Sequence, residues 1–223
     1  MNYLFNVKVK PLPVIFQEAA LLLFPLNPNI HCLRTFSKSL PRSSADVVDG
    51  NLTHIHKVRE YGENCLNSML AANPVRINYM NRYQEIINDY NSEQDQATIE
   101  KTFAELMALA NTMNDEQQRY VREGFSSDDE LSIYDMLFSD NLSAKDIKAI
   151  KQVSIDLLAK VKAKIDELDH WTDKQETKAA VDNLIRDTLW EELPDSYDDA
   201  HIPGYKDKIY AYIYLRYGIN KAA

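Results

Sequence analysis

Residues 143–168 read SAKDIKAIKQVSIDLLAKVKAKIDEL. Ile147, Ile150, Val153, Leu157, Leu158, Val161, Ile165 and Leu168 recur at three- and four-residue spacing, the period that gathers side chains on one face of an α-helix. Ser143 stands ahead of the run with Asp146 three positions on, the arrangement of an N-terminal cap. No glycine or proline interrupts it. A helix reaching Asp169 would be roughly 40 Å long at about 1.5 Å per residue. An apolar stripe of that length must be covered by other helices. The segment therefore predicts the spine of an irregular multi-helix bundle, an all-α fold with no significant sheet.

The flanking sequence agrees. Upstream, a helix is expected from about Leu52 to Ala72, followed by Asn73-Pro74 as a cap and first-turn proline. Ile77, Met80, Tyr83, Ile86, Ile87 and Tyr90 then form one helical face, and Ile99, Phe103, Leu106, Met107, Ala110 and Met113 another. Asn114 with Gln117, and Ser127 with Glu130, resemble capping boxes, with Gly124 as a helix stop between them. Leu131, Tyr134, Leu137 and Phe138 make a short stripe. Downstream, Thr172 with Gln175 predicts the cap of a helix that ends at Pro194. Asp195 to Gly204 reads as a polar loop, and a last helix is expected over about Tyr205 to Tyr217.

Composition narrows the function classes. Five glycines in 223 residues argue against barrels, dinucleotide folds and phosphate-cradling loops. A mean hydropathy of −0.42 with 45% hydrophobic residues suits a chain with a sizeable core. The net charge of −9 is concentrated: Ser92 to Asn141 carries twelve acidic and three basic residues, while elsewhere 22 of each cancel. That balance disfavours nonspecific DNA binding by the chain as a whole. Two cysteines, Cys32 and Cys65, give no disulfide framework and fit a reducing, cytoplasmic setting.

Residues 1–50 read as an N-terminal extension with one short apolar helix over about Leu12 to Phe24, residues 51–73 as a connecting helix, and residues 74–218 as the main helical domain. The apolar run is interrupted by Gln17 and Glu18 and closed by Pro25 and Pro28, too short to span a membrane and without a signal-peptide cleavage pattern. A buried or partner-facing helix is the expectation.

Catalytic chemistry finds little support. Glu167-x-x-His170 is half of a di-iron bundle motif and sits at a helix end; His54-x-His56 would not share a helical face. Glu176-Thr177-Lys178 matches three letters of a metal-dependent nuclease pattern but falls inside a predicted helix, not on a strand. No G-x-x-x-x-G-K-[ST] loop occurs. No metal, cofactor or catalytic group is expected in this chain.

Three surfaces could bind partners. On the helix ending at Pro194, Val181, Leu184, Ile185 and Leu189 set the stripe, and Arg186 and Trp190 fall nearly opposite, four apart, so that the guanidinium could stack on the indole. The bland expectation is a helix buried on both faces; the alternative is an interface anchor. Tyr210, Tyr214 and Tyr217 share the side of Ile209 and Ile213, which predicts core packing; aromatic–cation interleaving with Lys206, Lys208 and Arg216 is the nucleic-acid alternative. Lys148, Lys151, Lys160 and Lys164, with Lys145 and Lys162, predict a solvated face of the spine helix or, alternatively, a phosphate-contacting strip.

Taken in order and spacing, Arg76 to Asn78, Arg82 to Asn91, Thr98 to Met113, Asp129 to Asp135, Trp171 to Lys178, Arg186 to Tyr197 and Ile209 to Tyr217 resemble the C-terminal helical domain of the R subunit, the motor and endonuclease subunit, of type I restriction enzymes. The resemblance covers Pro74 to Gly218 and leaves residues 1–72 aside. It implies a non-catalytic assembly domain that docks the motor subunit onto the methyltransferase and specificity subunits, close to DNA. ATP and Mg are implied for the full-length enzyme alone. The partner-facing candidates read from the residues themselves are Arg186, Trp190, Tyr210, Tyr214 and Arg216; the candidate DNA contacts are Lys148, Lys151, Lys160 and Lys164.

Overall fold

A computed structural model describes residues 52–92, 96–168 and 170–218, with eight α-helices and two short 3-10 turns. The helices are α1 (Leu52–Ala72), α2 (Ile77–Ser92), α3 (Gln96–Gln117), α4 (Arg119–Arg122), α5 (Asp128–Leu137), α6 (Ala144–Glu167), α7 (Gln175–Glu192) and α8 (Ile202–Tyr217). Among the described residues there is no strand, so the fold class is all-α. None of these helices is long and apolar enough to cross a membrane. The short helix expected at Leu12 to Phe24, and Cys32, lie outside the described residues.

The chain forms two compact units. In the first, α2 and α3 pack side by side, and Cys65, Leu66 and Met69 of α1 join Tyr83, Ile86, Ile87, Leu106, Leu109, Ala110 and Met113 in one core. Tyr83 donates its hydroxyl to the Arg59 carbonyl at 3.1 Å. Arg76 is buried because its Nε donates to Glu116 at 3.0 Å, which offsets the cost of desolvating the guanidinium. Ile77, expected on the apolar face of α2, stands exposed at the helix start.

The second unit takes in residues 70–75 and 118–223. Its spine is α6, about 36 Å long over 24 residues, packed against α5 and α7. Ser143 caps it by accepting from the Asp146 amide at 3.2 Å. Ile150, Val153, Leu157, Leu158, Val161 and Ile165 are buried, each worth about 1.5–3 kcal/mol. Helices α7 and α8 complete the layer with Val181, Ile185, Leu189, Ile209, Tyr212 and Ile213.

Several local expectations change. Ser127 does cap α5, accepting from the Glu130 amide at 3.3 Å, and Gly124 turns the chain at φ +83°. Asn114 caps nothing, because α3 runs on to Gln117 and the hydrophobic Met113 needs the helix to continue under it. Thr172 does not cap α7 either. The N-cap is Lys174 without a side-chain bond, and Thr172 Oγ1 turns to the Gly218 carbonyl at 3.5 Å. The loop after α7 is shorter and less polar than its sequence suggests: Tyr197 is buried with its hydroxyl donating to the Leu137 carbonyl at 2.5 Å, a 3-10 turn spans Asp199–His201, and α8 starts at Ile202 with Pro203 in its first turn. Phe138 leaves the stripe of α5 as the C-cap and is exposed.

Candidate docking surface

Helix α7 presents two unlike faces. Val181, Ile185, Thr188 and Leu189 are buried against α6 and α8, while Asn183, Arg186, Asp187, Trp190 and Glu191 are exposed. Trp190 is 49% exposed, so the expected burial of both helix faces does not hold. A half-exposed indole retains apolar surface that a partner could still bury. The expected stacking of Arg186 on this ring does not occur either. Its guanidinium turns to the adjacent Asp187, with Nε and Nη2 at 2.9 and 2.8 Å from Oδ1.

The other tryptophan has the opposite role. Trp171, in the turn before α7, is 3% exposed and donates from Nε1 to the Tyr217 carbonyl at 3.2 Å. Tyr210 and Tyr214 meet it edge-on, with ring centroids 6.4 and 5.7 Å away. These contacts hold Tyr210 half-buried and leave Tyr214, beside the exposed Leu215, at the rim of α8.

A polar cluster that the sequence reading missed fixes the far end of α8. The Asp129 carboxylate accepts from Tyr212 at 2.8 Å, from Tyr217 at 2.5 Å and from Arg216 Nε at 3.0 Å. Burial alone would raise the Asp129 pKa, but these donors outweigh it and hold the carboxyl below its ordinary range. Burial, followed by the Asp129 charge for Tyr212 and the Asp129 hydrogen bond for Tyr217, pushes both phenols well above their usual value. Tyr212 also lies 3.2 Å from the Ala72 carbonyl, which accepts from Ser132 Oγ at 2.7 Å. Arg216, a candidate interface residue, is thus an internal ion-pair partner. Tyr212, placed outside the expected stripe, is among the most buried side chains of α8. A cluster drawn from positions 72, 129, 212 and 217 leaves no local pattern; the only signal is an unusual density of tyrosine opposite an acidic helix start.

The lysines of α6 are mostly spoken for. Lys151 donates to Glu123 Oε2 at 2.6 Å and sits 5.6 Å from the centroids of both Phe125 and Tyr134. That hydrogen bond holds the Glu123 carboxyl below its usual value. Lys160 is bound to Glu192, which raises its pKa. Lys164 pairs with Glu167 at 3.0 Å, and Lys162 lies over the Tyr217 ring at 5.5 Å. Lys148 stands on the exposed face. A strip in which three of four candidate cations already face carboxylates offers few charges for displacing counterions from phosphate. Some carboxylates of the acidic stretch from Ser92 to Asn141 are answered in the same way, Asp135 by Arg119 and Asn73, Asp129 by Arg216, and Glu123 by Lys151.

Glu176, Thr177 and Lys178 lie in the first turns of α7 and not on a strand, with the Thr177 hydroxyl on the Trp171 carbonyl at 2.6 Å. Among the described residues no three His, Cys, Asp or Glu side chains gather to hold a metal ion. The expectation for His54 and His56 concerns side chains outside the described residues.

Residues 52–202 match a family model described as type I restriction enzyme HindI endonuclease subunit-like, C-terminal. The match opens at the start of α1 and closes where α8 begins, so it takes in the helix read as a connector. No curated protein and no solved structure matches the chain.

Proposed function

This chain belongs to the family of type I restriction enzyme HindI endonuclease subunit-like C-terminal regions, and we propose that it is a non-catalytic docking domain that joins the motor and endonuclease subunit to the methyltransferase and specificity subunits of the same system. The observation that carries the proposal is Trp190, half exposed on the outward face of a helix whose other face is fully packed. Large aromatic side chains with a neighbouring arginine are the residues that most often anchor protein interfaces. Tyr214 and Leu215 on α8 form a second exposed apolar position on the same unit.

The rival reading, direct contact with DNA through α6, draws less support from side chains whose charge is already met by carboxylates. On this reading, ATP hydrolysis and DNA cleavage belong to other parts of the family enzyme. The test is co-purification and titration of the full chain against the assembled methyltransferase–specificity complex. Saturable binding is expected, with neither nuclease nor ATPase activity from the chain alone. A chain that fails to bind that complex at low salt, or that cuts DNA by itself, overturns the reading.

A further inference from the structure

The outward face of α7 also specifies the chemistry of what covers it. From Asp187 to Asp199 the chain carries six carboxylates and no lysine or arginine. Glu192 is bound to Lys160, and Asp187 to Arg186. Asp198 accepts from the Ala200 amide at 3.0 Å and faces His201 at 3.6 Å. Glu191, Asp195 and Asp199 are exposed. Asn183, Arg186, Asp187, Trp190 and Glu191 are neighbours on one helix face by their three- and four-residue spacing. The single cation of that face is balanced by Asp187 beside it. Lys160, bound to Glu192, also feels the Glu191 charge, so Arg186 and Lys160 stand against Asp187, Glu191 and Glu192 and the charge beside Trp190 stays negative overall.

We infer that this face docks into a basic protein surface, an apolar slot rimmed by lysine or arginine, and not onto nucleic acid. The inference rests on the docking reading above and names the partner's chemistry. An indole fills a slot and supplies most of the contact energy, while carboxylates around it steer a cationic rim and fix the register. Stacking on bases could also use an exposed indole, but a strand held there would bring its phosphates against Asp187 and Glu191, while Arg186 and Lys160 are already paired with carboxylates.

Two measurements test this with the full chain. Trp190 and Trp171 are the chain's two tryptophans, and the second is buried, so collisional quenching reports mainly on Trp190. With each ion's quenching taken relative to free N-acetyltryptophanamide, caesium is expected to be favoured over iodide, with the difference reduced in an E191K/D195K variant and the accessible fraction lost in W190F. Equal or reversed quenching, or an indole that neither ion reaches, overturns the proposal.

In titrations against the methyltransferase–specificity complex, Trp190→Ala is expected to weaken binding by about thirtyfold. E191K/D195K should weaken it by about tenfold and flatten its salt dependence. Circular dichroism and melting temperature should be unchanged in both. Wild type that binds while both variants bind equally well sinks the assignment of this face and leaves the docking reading standing. Wild type that does not bind at all sinks both. Saturable quenching of Trp190 by single-stranded oligodeoxythymidylate at low salt reassigns the face to nucleic acid and overturns the proposal.

Discussion

Tyr217 donates its hydroxyl to the carboxylate of Asp129, 88 positions earlier, at 2.5 Å, and so ties the last turn of α8 to the first turn of α5. Tyr212 and Arg216 converge on the same carboxylate, and this cluster makes the final helix part of the fold's core. Its role is testable without any partner.

Replacing Asp129 by Asn leaves three donors facing one amide oxygen and should cost about 1–3 kcal/mol at neutral pH. The folded-state pKa of Asp129 lies below its unfolded value. Its contribution is therefore full above the ordinary carboxylate range and drains away as pH falls through the folded value. Urea unfolding from neutral to acid pH should show wild type losing this increment while the Asn variant does not. Parallel acid limbs in the two proteins would refute the assignment.

The two tryptophans should respond oppositely to truncation. Trp171→Ala removes a buried ring that carries a hydrogen bond and two edge-on tyrosine contacts, and a loss of about 3–5 kcal/mol is expected. Trp190→Ala should leave stability within about 0.5 kcal/mol, because its face meets solvent. Chemical denaturation of the two variants checks both values, and comparable losses would contradict the placement of Trp190.

Charge reversal on α6 separates paired from solvated lysines. Lys151→Glu sets a carboxylate against Glu123 and two aromatic rings, and about 2 kcal/mol of destabilisation is expected. Lys148→Glu, on the exposed face, should change stability by less than about 0.5 kcal/mol. Thermal melts of the two single variants are sufficient; equal effects would show that Lys151 is not held as described.

Gly124 reverses the chain at φ +83° with open space around its Cα. Alanine there meets no neighbour, so the cost is backbone strain alone, about 1–2 kcal/mol. A Gly124→Ala variant as stable as wild type would mean that the turn relaxes to another conformation.

Local rules carried the fold a long way. The spacing from Ile147 to Ile165 located α6, and Ser143 and Ser127 marked true helix starts, because capping and amphipathic period are set by residues within one turn of each other. The same rules failed at Asn114 and Thr172, where a plausible cap was overruled by the packing of Met113 and by the Gly218 carbonyl. They also misjudged α8, where Tyr212 rather than the expected tyrosine face is most deeply buried, since a helix held between a packed layer and a polar cluster has no single apolar side.

By itself the sequence determined the all-α class, the spine helix and the family to which residues 52–202 belong. Only the tertiary structure decided which charges and aromatics remain available to a partner. Lys151, Lys160, Lys164 and Arg216 are taken up by carboxylates, three of them from distant parts of the chain, Trp171 is sealed under α8, and Trp190 is left in the open. Helical periodicity is a short-range property written in neighbouring residues. Exposure and charge pairing depend on what long-range packing brings alongside.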